Sequence, residues 1–396
     1  MTGDGLGYTC RAMTVWIQNP FDNLPAEGFR KQRYWLMAEA FVRAGHRVVL
    51  WTADFNHTTK TRRVLQMDGF ARFEVRLVPT PPYRKNVSRE RVRSHRAYAE
   101  AWERLATAEV SRDAAAKPGL IVTSIPTISG AEAALRLGRG LGARVVVDVQ
   151  DAWPETFERL APHGFGWLAR LALSGWRKRA RRVYRDADLV TGVCDRYRAL
   201  VGREDYFRAY LGAELSADAE ARQETDASSV RLVYAGNLGV SYDLGTVIRG
   251  LGGGQSLDVA GKGQEEPKWR RLAAELGLSD RVTFHGYLDE SALRRLMSSC
   301  DVGVVPMADD SFVGVPNKFC EYAAAGLRVV SSLGGESADL LKRYSCGSTY
   351  APGNAAGFAE AVRSAAELSA EAALELARRE FDAVRIYDGY VKRCLG

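Results

Sequence analysis

Six cysteines in 396 residues form no Cys-x-x-Cys pair and no Cys-His cluster with metal-ligand spacing. Cys10, Cys194, Cys300, Cys320, Cys346 and Cys394 are scattered, which argues against a disulfide framework and against a zinc site. Cys300 and Cys320 fall on strand or helix patterns and read as buried thiols, in keeping with a reducing cytosol. No apolar run approaches the roughly 18 residues of a membrane-spanning helix, and no hydrophobic region follows the first residues. There is no low-complexity tract, no repeat beyond two similar halves, and no nucleic-acid-binding motif to accompany the basic charge.

What is present is globular. The hydrophobic fraction is 46%, and the length suits two domains of about 200 residues each. Residues 1–12 read as an unstructured extension, with Met13 as a possible start because a strand begins at once after it. The C-terminal half alternates strand and helix patterns. Strand-like runs are Val230–Ala235, Ser256–Ala260, Val282–Gly286, Asp301–Pro306, Arg328–Ser332 and Gly347–Ala351, with helical patterns between them such as Glu266–Leu276, Glu290–Ser299 and Ala355–Ala366. Such βα alternation implies a parallel, doubly wound sheet, which binds ligands at the C-terminal ends of its strands. The N-terminal half repeats the pattern, with strands at Thr14–Gln18, Arg47–Thr52, Leu120–Ser124, Arg144–Val149 and Asp188–Val193. This reading places an N-terminal domain over 13–211, a linker over 212–229 and a C-terminal domain over 230–371. A helix over 372–396 then carries Phe381, Tyr387 and Tyr390.

The most informative segment is Val315-Pro-Asn-Lys-Phe-Cys-Glu-Tyr322. Pro316 suits a helix start and Gly326 a helix stop. Lys318 and Glu321 are three apart and share a helix face. Free N–H groups at a helix start, a lysine beside them and a carboxylate one turn on suit a nucleoside diphosphate: phosphate on the N–H groups and Lys318, ribose hydroxyls on Glu321. The bland alternative is an ordinary amphipathic helix with a solvated ion pair. Glycines in the loops Gly236-Asn-Leu-Gly-Val240, Gly261-Lys-Gly263 and Asp309–Val315 allow close backbone approach to phosphate. Asn237, Gly239, Lys262, Tyr287, Gly314, Val315 and Asn317 join Lys318 and Glu321 as the expected donor-binding set.

The order of Tyr234-Ala-Gly-Asn-Leu-Gly239, Val259-Ala-Gly-Lys-Gly263, Val282-Thr-Phe-His-Gly-Tyr287 and Pro316-Asn-Lys-Phe-Cys-Glu-Tyr322 resembles GT-B glycosyltransferases of the family-4 type. The likeness is greatest to the sugar transferases of bacterial exopolysaccharide and O-antigen assembly. It implies two Rossmann-like, doubly wound parallel-sheet domains facing a central cleft, with the last helix crossing back to the N-terminal domain. It also implies a nucleoside diphosphate sugar as donor, UDP-sugar foremost, with the glycine loop after the first strand at Gly28 against that donor, transfer with retention, and chemistry without a bound metal or cofactor. Family members pair two glutamates; Glu321 matches the second, while the position of the first is Val313. The family's basic phosphate ligands after the first C-domain strand are not evident either, and Lys262 and Lys318 are the available substitutes. Where the family often supplies a histidine near the donor sugar, this chain reads Gln150-Asp151. Asp151, His57 and Lys318 are the expected catalytic residues, with a capping role for Asp151 and a solvated His57 as the alternatives. Asp186-Ala-Asp188 reads as a cap and turn rather than a metal site.

Charge divides between the halves. Residues 1–208 carry 35 Lys and Arg against 22 Asp and Glu, and residues 209–396 carry 20 against 26. Much of the excess follows an apolar stretch around Trp167 and Trp176, in Arg177, Lys178, Arg179, Arg181 and Arg182. A basic amphipathic segment with interfacial tryptophan suits an anionic membrane surface. A solvated helix face is the alternative. The expectation is a cytoplasmic protein, peripheral on the inner membrane face, with a lipid-linked glycan as acceptor and no nucleic-acid partner. A nucleotide-sugar 2-epimerase of the same fold is a second reading, weakened by a total of five histidines. A nucleotide-sugar-binding subunit with reduced catalysis, motivated by Val313, is a third.

Overall fold

The computed structural model describes residues 12–64, 72–160, 166–215, 229–308 and 312–396. Residues 1–11 of the extension expected over 1–12, and 216–228 of the linker expected over 212–229, lie outside the described residues. The chain forms two compact units. One runs to Gly192 and includes Tyr197–Ala209 and Tyr387–Gly396; the other comprises Val193–Arg196 and Tyr210–Ile386.

The first unit is built on seven parallel strands: β1 (Thr14–Gln18), β2 (Arg47–Ala53), β3 (Glu74–Val78), β4 (Pro118–Ile125), β5 (Arg144–Val149), β6 (Leu189–Gly192) and β7 (Phe207–Arg208), in the order β3-β2-β1-β4-β5-β6-β7. The second has six parallel strands: β8 (Arg231–Ala235), β9 (Ser256–Ala260), β10 (Val282–Gly286), β11 (Val302–Val305), β12 (Arg328–Ser331) and β13 (Gly347–Thr349), in the order β10-β9-β8-β11-β12-β13. Central strands such as Val15-Trp16-Ile17 and Val302–Val305 are buried on both faces, as helices on both sides of a parallel sheet require. In each sheet the strand order reverses beside the first strand of the unit, between β1 and β4 and between β8 and β11. Crevices for ligands open at such switch points, beyond the C-terminal strand ends.

Three elements depart from the sequence reading. β3 and β7 were not foreseen: β3 is a half-exposed edge strand and β7 has two residues. A 24-residue helix, Arg89–Arg112, fills what the sequence shows as a charged stretch; Ser88 caps it by accepting the Arg91 N–H at 3.1 Å, and Tyr98, Trp102 and Ala106 form its buried stripe. The C-terminal helix is not continuous. A helix over Ala370–Leu376 widens into a π turn over Ala377–Phe381 and breaks at Asp382 before Ala383–Leu395. The break has a cause: Ala213 inserts its backbone there, donating to the Phe381 carbonyl at 2.8 Å and accepting from the Ala383 N–H at 3.1 Å.

Burial of one ion pair organises the first unit. Arg33, on the helix Arg33–Arg43, makes two hydrogen bonds of 2.8 Å to Asp148 of β5, and both side chains are almost fully removed from water. The hydroxyls of Tyr34 and Thr191 donate to the same carboxylate at 2.8 and 2.7 Å. Burial pushes the Asp148 carboxyl up, but Arg33 and these hydroxyls outweigh it and hold the group below the usual carboxylate range. The rings of Tyr387 and Tyr390 close over the guanidinium at 5.7 and 6.0 Å. Asp148→Ala should therefore destabilise the first unit by about 3–5 kcal/mol, because it strips Arg33 of its buried carboxylate. Denaturant unfolding checks this; a loss under about 1 kcal/mol would show that water reaches the site.

Candidate functional site

Helix Asn317–Ala324 follows Pro316, which occupies the extended cap position, and Gly326 closes it at φ 69°. Its second residue, Lys318, is not a solvated side chain at the helix start. The side chain is buried, 6% exposed, and folds toward the end of β8. There its Nζ donates to the Tyr234 hydroxyl at 3.0 Å and lies 4.1 Å and 3.7 Å from the ring centres of Tyr234 and Tyr242. The Tyr234 hydroxyl in turn donates a hydrogen bond to the Asn237 carbonyl at 2.6 Å. Two electron-rich ring faces and a hydroxyl acceptor thus replace water around the ammonium. Burial drives the Lys318 pKa down to about 7, against the pull of Glu321.

The turn above this lysine is made of close backbone contacts. At Gly236, φ is 149°, and an added Cβ would stand 3.1 Å from Lys318 Nζ. At Gly261, φ is 143°, and a Cβ would fall 1.8 Å from the Gly236 carbonyl oxygen. The loops after β8 and β9 touch through positions that only glycine fits. Exposed Asn237, partly exposed Gly239, exposed Lys262 and exposed Tyr287 border them, and Glu321 is half-buried one turn along the helix from Lys318. Asn317 is exposed at the helix start, whereas Val315 is 1% exposed, so its side chain belongs to the core and only its backbone can face a ligand. Gly314 is buried too: its carbonyl accepts from Ser337 Oγ at 2.6 Å, and a Cβ would meet Cys194 at 2.8 Å. Val313, at the position of the family's first glutamate, packs against the hydrophobic core.

In the first unit, Gly28 is exposed at φ 78° and closes the turn Pro25–Glu27. Glu27 pins that turn by accepting from Leu24 N–H, Asn56 and Arg63, each at 2.9 Å. His57 follows β2, shares a short hydrogen bond with the Tyr83 hydroxyl and packs edge-on to Phe21 at 5.4 Å. Burial, with Arg91 and Lys60 adding to it, lowers its pKa to about 3, so the ring is neutral near pH 7. Asp151 follows β5, but its carboxylate turns inward, accepting from Trp153 Nε1 at 3.1 Å and Thr156 Oγ1 at 3.0 Å. Burial pushes its pKa up. Both donors are side chains of its own loop, and among the described residues no hydrogen bond joins this carboxylate to His57. Asp186 is taken by Arg139 and Arg185, and Asp188 accepts the Val145 N–H.

Family profiles match both units: one described as "Glycosyl transferase 4-like domain" over residues 31–210, and one described as "Glycosyl transferases group 1" over residues 247–367. The chain belongs to the GT-B glycosyltransferases. A curated relative, the amylovoran biosynthesis glycosyltransferase AmsK of Erwinia amylovora, is 29% identical over 108 residues, which span 26% of this chain and 26% of the relative. Among solved structures, Anabaena Alr3699/HepE in complex with UDP covers 96% of this chain and 98% of its own, with TM-score 0.65 and 16% identity. The apo lipopolysaccharide outer core galactosyltransferase WaaB covers 96% and 98%, with TM-score 0.65 and 14% identity. The two parallel sheets are those of the GT-B fold.

Two parts of this glycosyltransferase escaped the sequence reading. Glu336, first residue of the helix Glu336–Tyr344 after β12, accepts the Asp195 N–H at 2.9 and 3.1 Å and the Tyr210 hydroxyl at 2.7 Å. The preceding Gly334-Gly335, at a strand end, was the available signal. His95, from the unforeseen long helix, joins His57 and Arg91 around Phe21, with ring centres 5.3 Å apart.

The basic segment is only partly a surface. It forms helices Gly166–Ala172 and Ser174–Asp186. Trp167 and Leu171 are 63% and 66% exposed. Trp176 is not free to meet a membrane: it is half-buried and stacks on Trp153 at 6.3 Å. Arg177 pairs with Glu155 and Glu158, and Arg179 makes a two-pronged pair with Glu132. Lys178, Arg181 and Arg182 are exposed. The dense run of charge divides because residues two apart on a helix point to different sides: Arg177 reaches Glu155 and Glu158, Arg179 reaches Glu132, and the basic residues between and beyond them face water.

Lys318 makes a stability prediction. Its folded pKa lies below the unfolded value, so the cost of burying it is complete below about pH 7 and is relieved as pH rises toward the ordinary lysine range. Lys318→Met, similar in shape and uncharged, should stabilise the ligand-free protein by roughly 1–3 kcal/mol. The gain should be larger at pH 6 than at pH 9. Thermal unfolding at both values measures it, and an equal or reversed gain would mean that the ammonium is hydrated.

Proposed function

We propose that this glycosyltransferase moves a sugar from a nucleoside diphosphate sugar, UDP-sugar foremost, to a hydroxyl of a growing glycan in polysaccharide biosynthesis. The observation that carries the reading is Lys318, a buried cation beneath the Gly236 turn at the β8/β11 switch point, with Glu321 one turn along its helix. The HepE structures with UDP and with UDP-glucose support UDP as the nucleotide, and the AmsK name supports an exopolysaccharide product.

In this reading the donor diphosphate lies over the Gly236 and Gly261 loops. Lys318 and the exposed Lys262 supply charge, and Glu321 accepts from the ribose hydroxyls. Breaking the bond between the anomeric carbon and the diphosphate oxygen leaves negative charge on that oxygen. Preorganised cations and N–H groups stabilise it without a bound metal. The acceptor oxygen forms the new bond on the same face, with retention. Its proton passes to an oxygen of the departing phosphate, in keeping with the family resemblance. Val313 leaves the sugar-facing position without a carboxylate, so the donor sugar is recognised by other groups.

Binding of UDP to the protein tests the site. Glu321→Ala should weaken it by about 1.5–3 kcal/mol, the range of hydrogen bonds to charged groups. At pH 8 a largely neutral Lys318 must take up a proton to face phosphate, whereas at pH 6 it is already charged. At pH 8, where the terminal phosphate of UDP is fully ionised, the calorimetric binding enthalpy should therefore depend on buffer ionisation in the wild type and not in Lys318→Met. Affinity should persist in a chelator. Unchanged affinity in Glu321→Ala together with no proton uptake would remove the donor site from this helix. Incubation with donor alone should yield no 2-epimer; its appearance would favour the epimerase.

The acceptor in this reading is lipid-linked and reached at an anionic membrane surface, through Trp167, Leu171, Lys178, Arg181 and Arg182. Each basic side chain near such a surface adds roughly 1 kcal/mol. Vesicles with anionic lipid should bind the protein and release it as salt rises, and replacement of the three basic residues by Gln should weaken binding at least tenfold. Sedimentation with vesicles measures this; an unaltered bound fraction would assign those helices to a solvated face.

A further inference from the structure

Loops of the first unit gather a second set of cations at the C-terminal strand ends. Phe21 follows β1, His57 and Lys60 follow β2, Tyr83 follows β3, and Trp153 follows β5. Arg91, near the start of helix Arg89–Arg112, lies 4.9 Å from the Trp153 ring centre, 5.4 Å from Phe21 and 5.9 Å from Tyr83. Lys60 Nζ lies 4.6 Å from the Tyr83 ring centre. Their polar partners are uncharged. Arg91 donates to the Asn86 carbonyl at 2.7 Å and to His95 Nε2 at 3.3 Å. Lys60 donates to the His57 carbonyl and to Asn86 Oδ1, both at 2.6 Å, with His57 Nδ1 at 3.4 Å.

Among the described residues, neither cation has a carboxylate within salt-bridge distance. The field of Asp151 reaches Arg91, but its oxygens are engaged by Trp153 and Thr156. The contrast within the same unit is sharp: Arg33, Arg63, Arg76, Arg177, Arg179 and Arg203 each rest on a carboxylate. A half-buried cation whose direct hydrogen-bond partners are all neutral is costly in isolation, and an incoming anion relieves that cost. His57 and His95 both have pKa values lowered to about 3, first by burial and then by Arg91, so they add no charge and can offer a neutral ring N–H.

We propose that Arg91 and Lys60, with the Tyr83 hydroxyl and the neutral His57 and His95 rings, form an anion-binding subsite for the phosphate or diphosphate of the acceptor. A guanidinium presents paired N–H donors that match phosphate oxygens, and Lys60 adds a compact charge beside it. Phe21 and Trp153 supply apolar faces for what the phosphate carries. Only the word acceptor rests on the proposed glycosyl transfer; the anion chemistry stands on these residues alone.

The test uses the full chain with its donor site filled by saturating UDP. Inorganic diphosphate, farnesyl diphosphate and farnesol are titrated by calorimetry. Both diphosphate-bearing probes should bind and farnesol should not. Arg91→Gln and Lys60→Gln should each weaken diphosphate binding at least tenfold while changing UDP affinity less than twofold, which also reports that the variants are folded. Tighter binding of farnesyl diphosphate than of inorganic diphosphate would assign a lipid-linked source, and equal binding a subsite that reads phosphate alone. The proposal is overturned if the wild-type protein with UDP bound takes up neither diphosphate probe. It is equally overturned if both variants bind diphosphate as the wild type does. Failure of UDP to bind would instead remove the donor reading, and diphosphate binding to the first unit would still be read through the two variants.

Discussion

Asp148 is the point on which the first unit closes. A carboxylate with no water contact is stable only if every oxygen is engaged, and here Arg33, Tyr34 and Thr191 engage them. Those partners come from the helix after β1 and from β6, while Asp148 itself is in β5. Tyr387 and Tyr390 of the last helix cover the guanidinium. One buried charge therefore fixes the relation of two strands, a helix and the end of the chain. It also fixes where β5 ends, and with it the loop that carries Asp151 and Trp153. The inward turn of Asp151 follows from that rigid departure: the loop makes its own Trp153 and Thr156 hydrogen bonds at once, and the carboxylate is spent locally.

The second unit buries a cation that, among the described residues, has no carboxylate within salt-bridge distance. Lys318 is held by two tyrosine faces and a hydroxyl, which compensate a charge only in part. Burial then lowers its proton affinity until the neutral form competes near pH 7. A core lysine that served stability alone would be better replaced by methionine. Its placement under a turn that only glycine can form, at the edge where parallel sheets open, makes sense if an anion completes the compensation. Arg91 and Lys60 pose the same incomplete balance in the first unit, with aromatic rings again standing where carboxylates would.

Much of the fold was legible because buried parallel strands are short apolar runs bounded by polar residues, glycine or proline. Ser256–Ala260, Val282–Gly286 and Arg144–Val149 were read with the bounds that the structure has. β3 was lost because Glu74-Val-Arg-Leu-Val78 lies at a sheet edge, half-exposed, with charges between its apolar residues. Helix Arg89–Arg112 was lost for a related reason: arginines and glutamates dilute the stripe of Tyr98, Trp102 and Ala106. The break at Asp382 depends on Ala213, remote in sequence, and no local pattern encodes it. The site divides in the same way. Helix Asn317–Ala324 was legible from Pro316 and Gly326, but the destination of Lys318 is set by Tyr234 and Tyr242 on distant segments. Glu336, His95 and Arg91 acquire meaning only through partners that the sheet brings near.

Charge counting shows the limit of composition most plainly. The excess of Lys and Arg over Asp and Glu in the first 208 residues suggests one broad basic face. In the folded unit that excess separates into three populations. Arginines such as Arg177 and Arg179 are neutralised by glutamates and contribute little beyond their own neighbourhood. Lys178, Arg181 and Arg182 stay in water, where their field fades over a Debye length of about 8–10 Å and can attract only diffuse anionic surfaces. Arg91 and Lys60 are half withdrawn from water among rings, where effective dielectric is lower and an anion at contact distance gains far more. The same side-chain chemistry thus yields structure, steering or recognition according to how much water and which oxygens surround it. That distribution, rather than the net count, is what a phosphate-bearing substrate would meet.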